Sequence, residues 1–473
     1  MAMQTEEQIK QDIEYITGLV KRAHAAQKVA EGFTQEYVDK LTREIGWALV
    51  QPETVTKIAE FCLEETRMGT LEAKQNKLFV KVRGVLNDIN PLKSVGIIEE
   101  NKELGIRRLG KPVGVIGSLI PTTQPELCPA TQAMLAVKAR DAVVFSPHPR
   151  SQKTTLMVTD IIRSVLKKNG APEDLAICIE NPTMTKSKEL MNQVDLVIAT
   201  GGAGMVKSAY SSGTPAYGVG VGNAVVVIDE TADLKQAAKN VHTSKVFDYA
   251  SGCSCDNSIV VQDSIYDEFM ECLKAEGAVL TKKEDYPRMR KALWPEWPDN
   301  HQLNRDIVTQ PAKRIAEIAG IEGVSDDTTM ILVEEDGYGF EHPFSGEKLC
   351  VVLTVFRYGE FQEAIDIVNG IHDYMGAGHS CGIQTTNDEH AMQLALNTHT
   401  TRVMINQAQS GANGGSWTNG MPFTGSLGCG TWGGNIVSEN ITLKHFLNNT
   451  WVATAIPSRQ PSDEEIFGDA MKN

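Results

Sequence analysis

Short apolar segments alternate with helical patterns over residues 112–228, and this alternation constrains the fold more than any other feature of the chain. Five of the segments have the composition of buried strands, at 112–120, 142–145, 175–179, 196–199 and 224–228. Helical patterns lie between them, at 125–137, 153–166, 187–191 and 205–210. Repeated βα units form a mostly parallel sheet with helices on both faces, which predicts an α/β fold with a Rossmann-type domain. Ligands of such sheets bind at the carboxyl ends of the strands.

Helices precede this region and a second α/β region follows it. The first helix carries an apolar stripe, formed by Ile9, Ile13, Ile16 and Val20. We expect this stripe to pack on its own domain rather than on a partner. Further strands are predicted at 259–261, 330–333, 351–355 and 402–405. The loop at 406–430 is rich in Gly, Ser and Asn, and a loop of that length is typical of a functional or a disordered segment.

Charge and cysteine content exclude several classes of protein. The net charge of −15 argues against binding of nucleic acid or of an anionic membrane through bulk charge. The nine cysteines are odd in number and include no CxxC pair, which argues against a disulfide framework or a zinc site and favours a reducing compartment. The N-terminus is polar and no apolar run reaches 18 residues, so we expect a cytoplasmic protein without a membrane span or a metal.

One cysteine lies in a setting typical of a nucleophile. Cys253 follows a glycine in the small, polar run 250–257, directly before a β-rich segment. A thiolate there is placed to attack a carbonyl carbon while backbone N–H groups of the turn receive the oxyanion. The alternative is a buried, inert cysteine, and the local residues alone leave both interpretations open.

Four other segments have the composition of ligand loops. Three are glycine-rich, at 200–205, 217–223 and 427–435, and for each one alone a tight turn is the alternative. The fourth, Phe145-Ser-Pro-His-Pro-Arg150, leaves the end of a predicted strand, where a Rossmann-type sheet holds the ribose of adenosine. Arg150 there is either a contact to a ribose 2′-phosphate or part of a solvated basic turn.

Eight motifs in order carry a family resemblance that covers residues 5–455. They are Pro112-Val-Gly-Val with Pro121-Thr-Thr-Gln-Pro125, Phe145 to Arg150, Ala199 to Lys207, Gly218 to Asn223, Phe247-Asp with Cys253, Gly346-Glu-Lys-Leu349, Gly378-His-Ser-Cys381 and Leu427 to Asn435. In these motifs the chain resembles the coenzyme A (CoA)-acylating branch of the aldehyde dehydrogenase superfamily. It is also similar to the aldehyde dehydrogenase half of bifunctional aldehyde-alcohol dehydrogenases, and we expect a stand-alone acylating enzyme.

The resemblance implies roles for individual residues. Cys253 would form a thiohemiacetal and then a thioester, from which CoA takes the acyl group. Thr123, in the Thr122-Thr123 turn, would form the oxyanion site with the N–H of Cys253, and His379 would be a proton carrier. On the cofactor side, the implied contacts to NAD or NADP are Ser146, His148, Arg150, Gly201, Gly202 and Glu347, with Glu347 on the nicotinamide ribose. The sequence does not decide between NAD and NADP.

Three positions separate this chain from its relatives. Hydrolytic aldehyde dehydrogenases carry a water-activating Glu where this chain has Gly218, which favours a thiol as the acyl acceptor because a thiol needs less activation than water. The motif Pro-Thr-Thr-Asn-Pro of relatives has Gln124 in place of Asn. Cys255 is either a packing thiol or a partner for a reversible disulfide with Cys253, and the opposite faces of residues i and i+2 in a strand favour packing.

The segment 406–420 is the predicted wall of the acyl pocket, and its amides and hydroxyls favour a small polar or anionic aldehyde. It resembles the acylating sulfoacetaldehyde dehydrogenases, with Trp417 as its large apolar residue. Arg402 and His399 are the candidate cations for a sulfonate, and for Arg402 a structural ion pair is the alternative. The alternatives are an acylating enzyme for acetaldehyde or another small aldehyde, a hydrolytic dehydrogenase, and a non-catalytic structural relative.

The expected domains are a cofactor-binding domain at 1–240, a catalytic domain at 241–432, and a return to the cofactor domain with an oligomerisation tail at 433–473. A hairpin at about 94–112 is expected to mediate oligomerisation. The resemblance implies a homodimer or a homotetramer that binds a small aldehyde and CoA.

Overall fold

A computed structural model describes residues 4–472 of the chain. Its helices are α1 (Glu6–Ala30), α2 (Gln35–Leu49), α3 (Pro52–Thr66), α4 (Leu71–Ile89), α5 (Leu127–Ala139), α6 (Gln152–Lys168), α7 (Met184–Gln193), α8 (Ala203–Tyr210), α9 (Leu234–Val246), α10 (Tyr266–Ala275), α11 (Tyr286–Leu293), α12 (Ala312–Ala319), α13 (Phe361–Tyr374), α14 (Asp388–Asn397), α15 (Gln409–Ala412) and α16 (Asp463–Phe467). Its strands are β1 (Gly96–Asn101), β2 (Ile106–Pro112), β3 (Val115–Ile120), β4 (Ala142–Pro147), β5 (Ala176–Cys178), β6 (Leu196–Thr200), β7 (Ala216–Val219), β8 (Ala224–Ile228), β9 (Asp256–Gln262), β10 (Ala278–Leu280), β11 (Met330–Glu334), β12 (Val352–Tyr358), β13 (Cys381–Gln384), β14 (Val403–Ile405) and β15 (Leu447–Ala453). None of the described helices is long and apolar enough to cross a membrane.

Helix α1 packs on the chain's own domain through its C-terminal part. Thr5 caps its N-terminus in a capping box with Gln8, which satisfies N–H groups that the helix itself leaves unpaired. Ile16 and Val20 of the apolar stripe are buried, whereas Ile9 and Ile13 remain about two-fifths exposed, at 38% and 37%. The stripe therefore packs on its own domain, as predicted, through Ile16 and Val20 but not through Ile9 and Ile13.

A five-stranded parallel sheet in the order β5-β4-β3-β6-β7 forms the predicted Rossmann-type domain. All six residues of β3 and all six of β4 are buried, because helices cover both faces of the sheet. The α/β fold and its parallel sheet are thus confirmed.

A second parallel sheet has seven strands in the order β10-β11-β12-β9-β8-β13-β14. The segment 224–228, predicted as the fifth strand of the first sheet, is β8 of this second sheet and pairs with β9 and β13. The fifth strand of the first sheet is instead β7. Strand β7 thus belongs to the first sheet and β8 to the second, and the expected domain limits stay a prediction.

The predicted hairpin consists of β1 and β2, which pair antiparallel. Strand β15 returns from the C-terminal region and pairs with the other edge of β2, so the hairpin becomes a three-stranded sheet. Trp451 of β15 is 61% exposed.

Candidate active site

A cavity of about 1460 Å³ opens between the two parallel sheets and contains most of the predicted site. Its volume exceeds that of a pocket for one drug-sized ligand, which is consistent with a dinucleotide and a substrate bound together. The predicted residues that line it are Thr123, Ser146, His148, Arg150, Gly201, Gly202, Cys253 and Glu347. Residues far apart in the chain, such as Thr123 and Glu347, thus face one space.

The nucleophile loop, residues 247–253, begins in a strained conformation. Asp248, Tyr249 and Ala250 have φ values of 51°, 50° and 59°. Each non-glycine residue in the left-handed region costs about 1–2 kcal/mol, so three in succession require strong contacts to hold them. Those contacts come from helix α4 and from the turn before it.

Asp248 supplies these contacts. Its carboxylate accepts hydrogen bonds from the Thr70 N–H at 2.8 Å, from Ser251 Oγ at 2.6 Å and from Lys77 Nζ at 2.8 Å. Lys74 Nζ lies 3.6 Å away. Burial would raise the pKa of Asp248, but the two ammonium groups outweigh it and hold the pKa below its ordinary value.

Lys77 joins the nucleophile loop to the oxyanion turn. Besides Asp248, its ammonium contacts Glu126 at 3.0 Å and lies 3.4 Å from the carbonyl oxygen of Thr123. The turn that contains Thr122 and Thr123 follows β3 directly. One buried group therefore helps to set the spacing between the Cys253 loop and the predicted oxyanion site.

The two neighbouring thiols differ in their surroundings. Both residues belong to the lining of the cavity, but Cys253 is partly exposed whereas Cys255 is buried with its Sγ 3.8 Å from the carbonyl oxygen of Phe247. Burial raises the pKa of the Cys253 thiol, the charge of Glu347 raises it further, and the charge of Arg402 lowers it. The environment of Cys255 fits the packing interpretation.

Glu347 faces the same space as Cys253. Burial raises the pKa of its carboxyl group to about 8, although the N–H of Gly222 donates to it. A Cβ on Gly222 would lie 2.1 Å from the carbonyl oxygen of Cys253. Because glycine has no side chain, the backbone at Gly222 can lie directly against the backbone at Cys253. Near neutral pH the Glu347 carboxyl group is therefore mostly protonated and can donate a hydrogen bond.

The cofactor side of the cavity fits a nicotinamide dinucleotide. Gly202 caps the N-terminus of α8, and a Cβ on Gly202 would have nothing within 4 Å, so free N–H groups border open space suited to a pyrophosphate. Ser146 at the end of β4 is buried and its Oγ lies 2.9 Å from Ser187 Oγ. The exposed His148 accepts the N–H of Arg150 at 3.1 Å. These groups suit the ribose and phosphate end of the cofactor.

Gly218 has no room for the water-activating Glu of hydrolytic relatives. A Cβ there would lie 2.6 Å from Tyr210 Cε2 and 2.6 Å from Val206 Cγ1. The Tyr210 hydroxyl also accepts the Gly218 N–H at 2.8 Å. Within the part of the chain that the structure describes, the acids that line the cavity are Asp306 and Glu347.

The structure does not bring His379, Arg402 or Trp417 to the cavity wall. His379 is buried, its Nδ1 lies 3.0 Å from Ser380 Oγ, and burial with the nearby charge of Arg402 lowers its pKa to about 3. The imidazole is thus neutral, and its role as a proton carrier stays a prediction.

Arg402 is buried and its donors are used within the protein. They bind Asn440, the carbonyl oxygens of His379 and Gly428, and the hydroxyl of Thr401. Trp417 is 57% exposed and packs against Phe423 with ring centroids 4.8 Å apart. Neither residue lines the cavity, and the expected contact of each with a substrate stays a prediction.

Sequence reasoning missed three residues of this region: Asp248, Lys77 and Lys81. Asp248 lies inside the quoted Phe247-Asp motif, but its contacts with α4 could not be read from the sequence. Lys77 and Lys81 are two of several cations on an ordinary amphipathic helix, and they line the cavity only because α4 packs beside the nucleophile loop. Their spacing of four residues, one helical turn, was the available signal.

Comparison with known proteins agrees with this geometry. The model of the aldehyde dehydrogenase family matches residues 20–287. The chain is 46% identical to a sulfoacetaldehyde dehydrogenase from Acholeplasma sp, over 97% of this chain and 94% of that protein. It is 40% identical to an acylating sulfoacetaldehyde dehydrogenase from Bilophila wadsworthia, over 95% and 97% of the two chains. The crystal structure of an acetylating aldehyde dehydrogenase from Geobacillus thermoglucosidasius superposes with a TM-score of 0.91 at 34% identity, covering 96% of this chain and 99% of that one. By its sequence, its fold and its site, the chain belongs to the aldehyde dehydrogenase family.

Proposed function

We propose that this enzyme oxidises a small anionic aldehyde to its acyl-CoA, using NAD or NADP, with sulfoacetaldehyde as the substrate. The observation that carries the reaction type is that the partly exposed Cys253 has no carboxylate from position 218 in its cavity, since a Cβ on Gly218 would meet Tyr210 and Val206. The relatives from Acholeplasma and Bilophila, which bear the name sulfoacetaldehyde dehydrogenase, support the substrate.

Cys253 begins the reaction by forming a C–S bond to the aldehyde carbon. The carbonyl oxygen becomes an oxyanion, which the Cys253 N–H and the Thr122-Thr123 turn are placed to receive. Ser146, His148, Arg150, Gly201, Gly202 and Glu347 would hold the nicotinamide cofactor, which when bound would accept the hydride that leaves the former aldehyde carbon. Cys253 then holds the acyl group as a thioester.

The second half of the reaction transfers the acyl group. The CoA sulfur forms a bond to the thioester carbon, and Cys253 leaves as a thiolate. CoA needs no dedicated carboxylate, since a thiol with a pKa near 8.5 is partly ionised at neutral pH, whereas water is not. Gly218 carries no carboxylate to activate water, so hydrolysis of the thioester should be slow.

The test measures formation of reduced nicotinamide with sulfoacetaldehyde, with and without CoA, and with NAD and NADP in separate assays. Strict dependence on CoA supports the acylating reaction, and turnover without CoA would contradict it. An equal kcat/KM for acetaldehyde and sulfoacetaldehyde would remove the proposed substrate while leaving the reaction type in place.

We further propose that the protein forms a homodimer or a homotetramer through the sheet β1-β2-β15. This sheet has two edge strands, β1 and β15, and edge strands with exposed apolar side chains are sites of pairing. Ile97, Trp451 and Val452 supply those side chains, each at least 40% exposed. Light scattering of the purified enzyme tests the assembly, and a monomer would contradict it.

A further inference from the structure

We propose that Lys81 binds the anionic end of the substrate and determines the preference for a charged aldehyde. The proposal deepens the proposed function and rests on it. It begins from the position of Lys81 on α4, one turn after Lys77, on the helix face that lines the cavity with Asn76 and Val80.

The ammonium of Lys81 lies against the predicted wall of the acyl pocket. It donates to the carbonyl oxygens of Gly411 at 3.3 Å, Gly414 at 3.0 Å and Gly415 at 2.6 Å. Gly411 and Gly414 line the cavity together with Ser410, on the same loop. Lys81 thus lies at the part of the cavity where the loop 406–420 faces α4.

Lys81 is half-buried and differs from the buried Lys74 and Lys77 of α4 in having no anionic partner among the described residues. Lys74 and Lys77 share the carboxylate of Asp248, and Lys77 also contacts Glu126. The described contacts of Lys81 are three backbone carbonyls and the ring of Phe423, whose centroid lies 5.6 Å from Nζ. Burial lowers the pKa of Lys81 to about 8, and no described carboxylate opposes that shift.

A half-buried ammonium without a counter-charge has lost part of its hydration, and an anion in the cavity would reduce that cost. A sulfonate or a carboxylate fits this environment. A lysine ammonium has three N–H donors, so the anion would displace one of the three carbonyls, the most distant being that of Gly411 at 3.3 Å, and accept a charge-assisted hydrogen bond in its place. An uncharged aldehyde gains nothing from the same group. Arg402, whose charge lowers the pKa of Cys253, does not line the cavity, and its donors bind acceptors within the protein.

The test compares kcat/KM for sulfoacetaldehyde and for acetaldehyde, each with CoA and cofactor, in three variants. Lys81→Gln removes the charge and keeps a donor for the loop carbonyls. Lys81→Arg keeps the charge. Arg83→Gln is the matched control, since Arg83 lies on the same helix, packs over the exposed ring of Phe79 and does not line the cavity.

In Lys81→Gln, the ratio of the two kcat/KM values should fall about ten- to a hundredfold, the loss expected for one hydrogen bond to a charged group. Lys81→Arg and Arg83→Gln should keep most of the wild-type ratio. An unchanged ratio in Lys81→Gln overturns the proposal, as does a wild-type enzyme without preference for the anionic aldehyde. If Lys81→Gln does not fold, Lys81→Met takes its place, and an unchanged ratio in that variant would likewise overturn the proposal.

Failure of the proposed function gives a different result. A wild-type enzyme that reduces cofactor with neither aldehyde in the presence of CoA refutes the reaction, and this inference with it. Inhibition provides a second readout, since ethanesulfonate should compete with acetaldehyde in the wild type and in Arg83→Gln but at least about tenfold more weakly in Lys81→Gln. Equal inhibition of all three proteins would contradict the role of Lys81.

Discussion

Replacement of Asp248 by Asn should release the nucleophile loop. The carboxylate holds three successive left-handed residues in place through Thr70, Ser251 and Lys77. Asn keeps the size of the side chain but removes the charge, and the change leaves Lys74 buried without its one described carboxylate partner. Removal of one member of a buried ion pair costs about 3–5 kcal/mol, which is comparable to the strain of the segment that the pair restrains.

The expected results are a fall of about 3–5 kcal/mol in the free energy of unfolding and a fall of at least about tenfold in kcat, because small misplacements of a nucleophile are costly. Denaturant unfolding at pH 7 and steady-state kinetics measure the two quantities. The matched control is Asp263→Asn, which breaks the ion pair with Arg357 at 2.8 Å, with both side chains 52% exposed. Exposed pairs contribute about 0–1 kcal/mol, so this control should stay close to the wild type.

Two further measurements sharpen the test. The double variant Asp248→Asn with Lys74→Met also removes the ammonium that has lost its carboxylate partner, and it should recover part of the lost free energy of unfolding. Because the pKa of Asp248 is lowered by folding, its contribution is present above the unfolded pKa near 4 and is lost as the pH falls through the lower folded pKa. The variant and the wild type should therefore converge in stability in acid. Equal stability of both Asp→Asn variants at pH 7, with kcat within about twofold of the wild type, would refute the reasoning.

Three other predictions concern Cys253 and its neighbours. Cys253→Ser should abolish CoA-dependent turnover whereas Cys255→Ser should keep at least half of kcat, because the Cys255 thiol is buried against the Phe247 carbonyl; similar losses in both would contradict this. Glu347→Gln should speed alkylation of Cys253 by iodoacetamide at pH 9, since the carboxylate raises the pKa of the thiol. The difference in rate between the variant and the wild type should become small below pH 8, where Glu347 is protonated. Equal rates at pH 9 would be inconsistent with that coupling. Gly218→Glu should lower stability without producing CoA-independent aldehyde oxidation, because Tyr210 and Val206 occupy the space of the new side chain; a gain of hydrolytic turnover would show that the site can open.

The sequence predicts local structure well where one pattern decides it. Strands β3 and β4 are short apolar runs between helical patterns, and both form. The run predicted at 112–120 is divided, however, since Pro112 ends β2 and β3 begins at Val115. Strand β8 is predicted with the right bounds but in the wrong sheet, because an apolar run carries no information about which strand lies beside it. Strand β13 escapes prediction, since Cys381-Gly-Ile-Gln384 is short and mixed in character.

Around Cys253, too, the sequence predicts some features of the site and not others. Motifs place Thr123 and Glu347 in one cavity, since the order of the motifs carries the family's geometry. The direction of a single long side chain is not encoded in that order. Arg402 is expected to face a sulfonate but binds Asn440 and backbone carbonyls, whereas Lys81, which faces the cavity, looks in the sequence like any other cation of α4.

The buried charged cluster that contacts the nucleophile loop is better explained by the geometry that it imposes on the site than by a contribution to the free energy of unfolding. Lys77, Asp248 and Glu126 are all buried, and apolar residues of similar volume often stabilise a protein as well as a buried ion pair does. Apolar packing, however, does not specify which backbone groups lie opposite each other, whereas one ammonium that contacts both Asp248 and the Thr123 carbonyl does. A thiol and an oxyanion site on separate elements must be held at a fixed spacing for attack on a carbonyl. Lys77 of the cluster and Lys81 lie on one helix, α4, so one rigid element would position both the reacting carbonyl and, as we propose, the anionic end of the substrate.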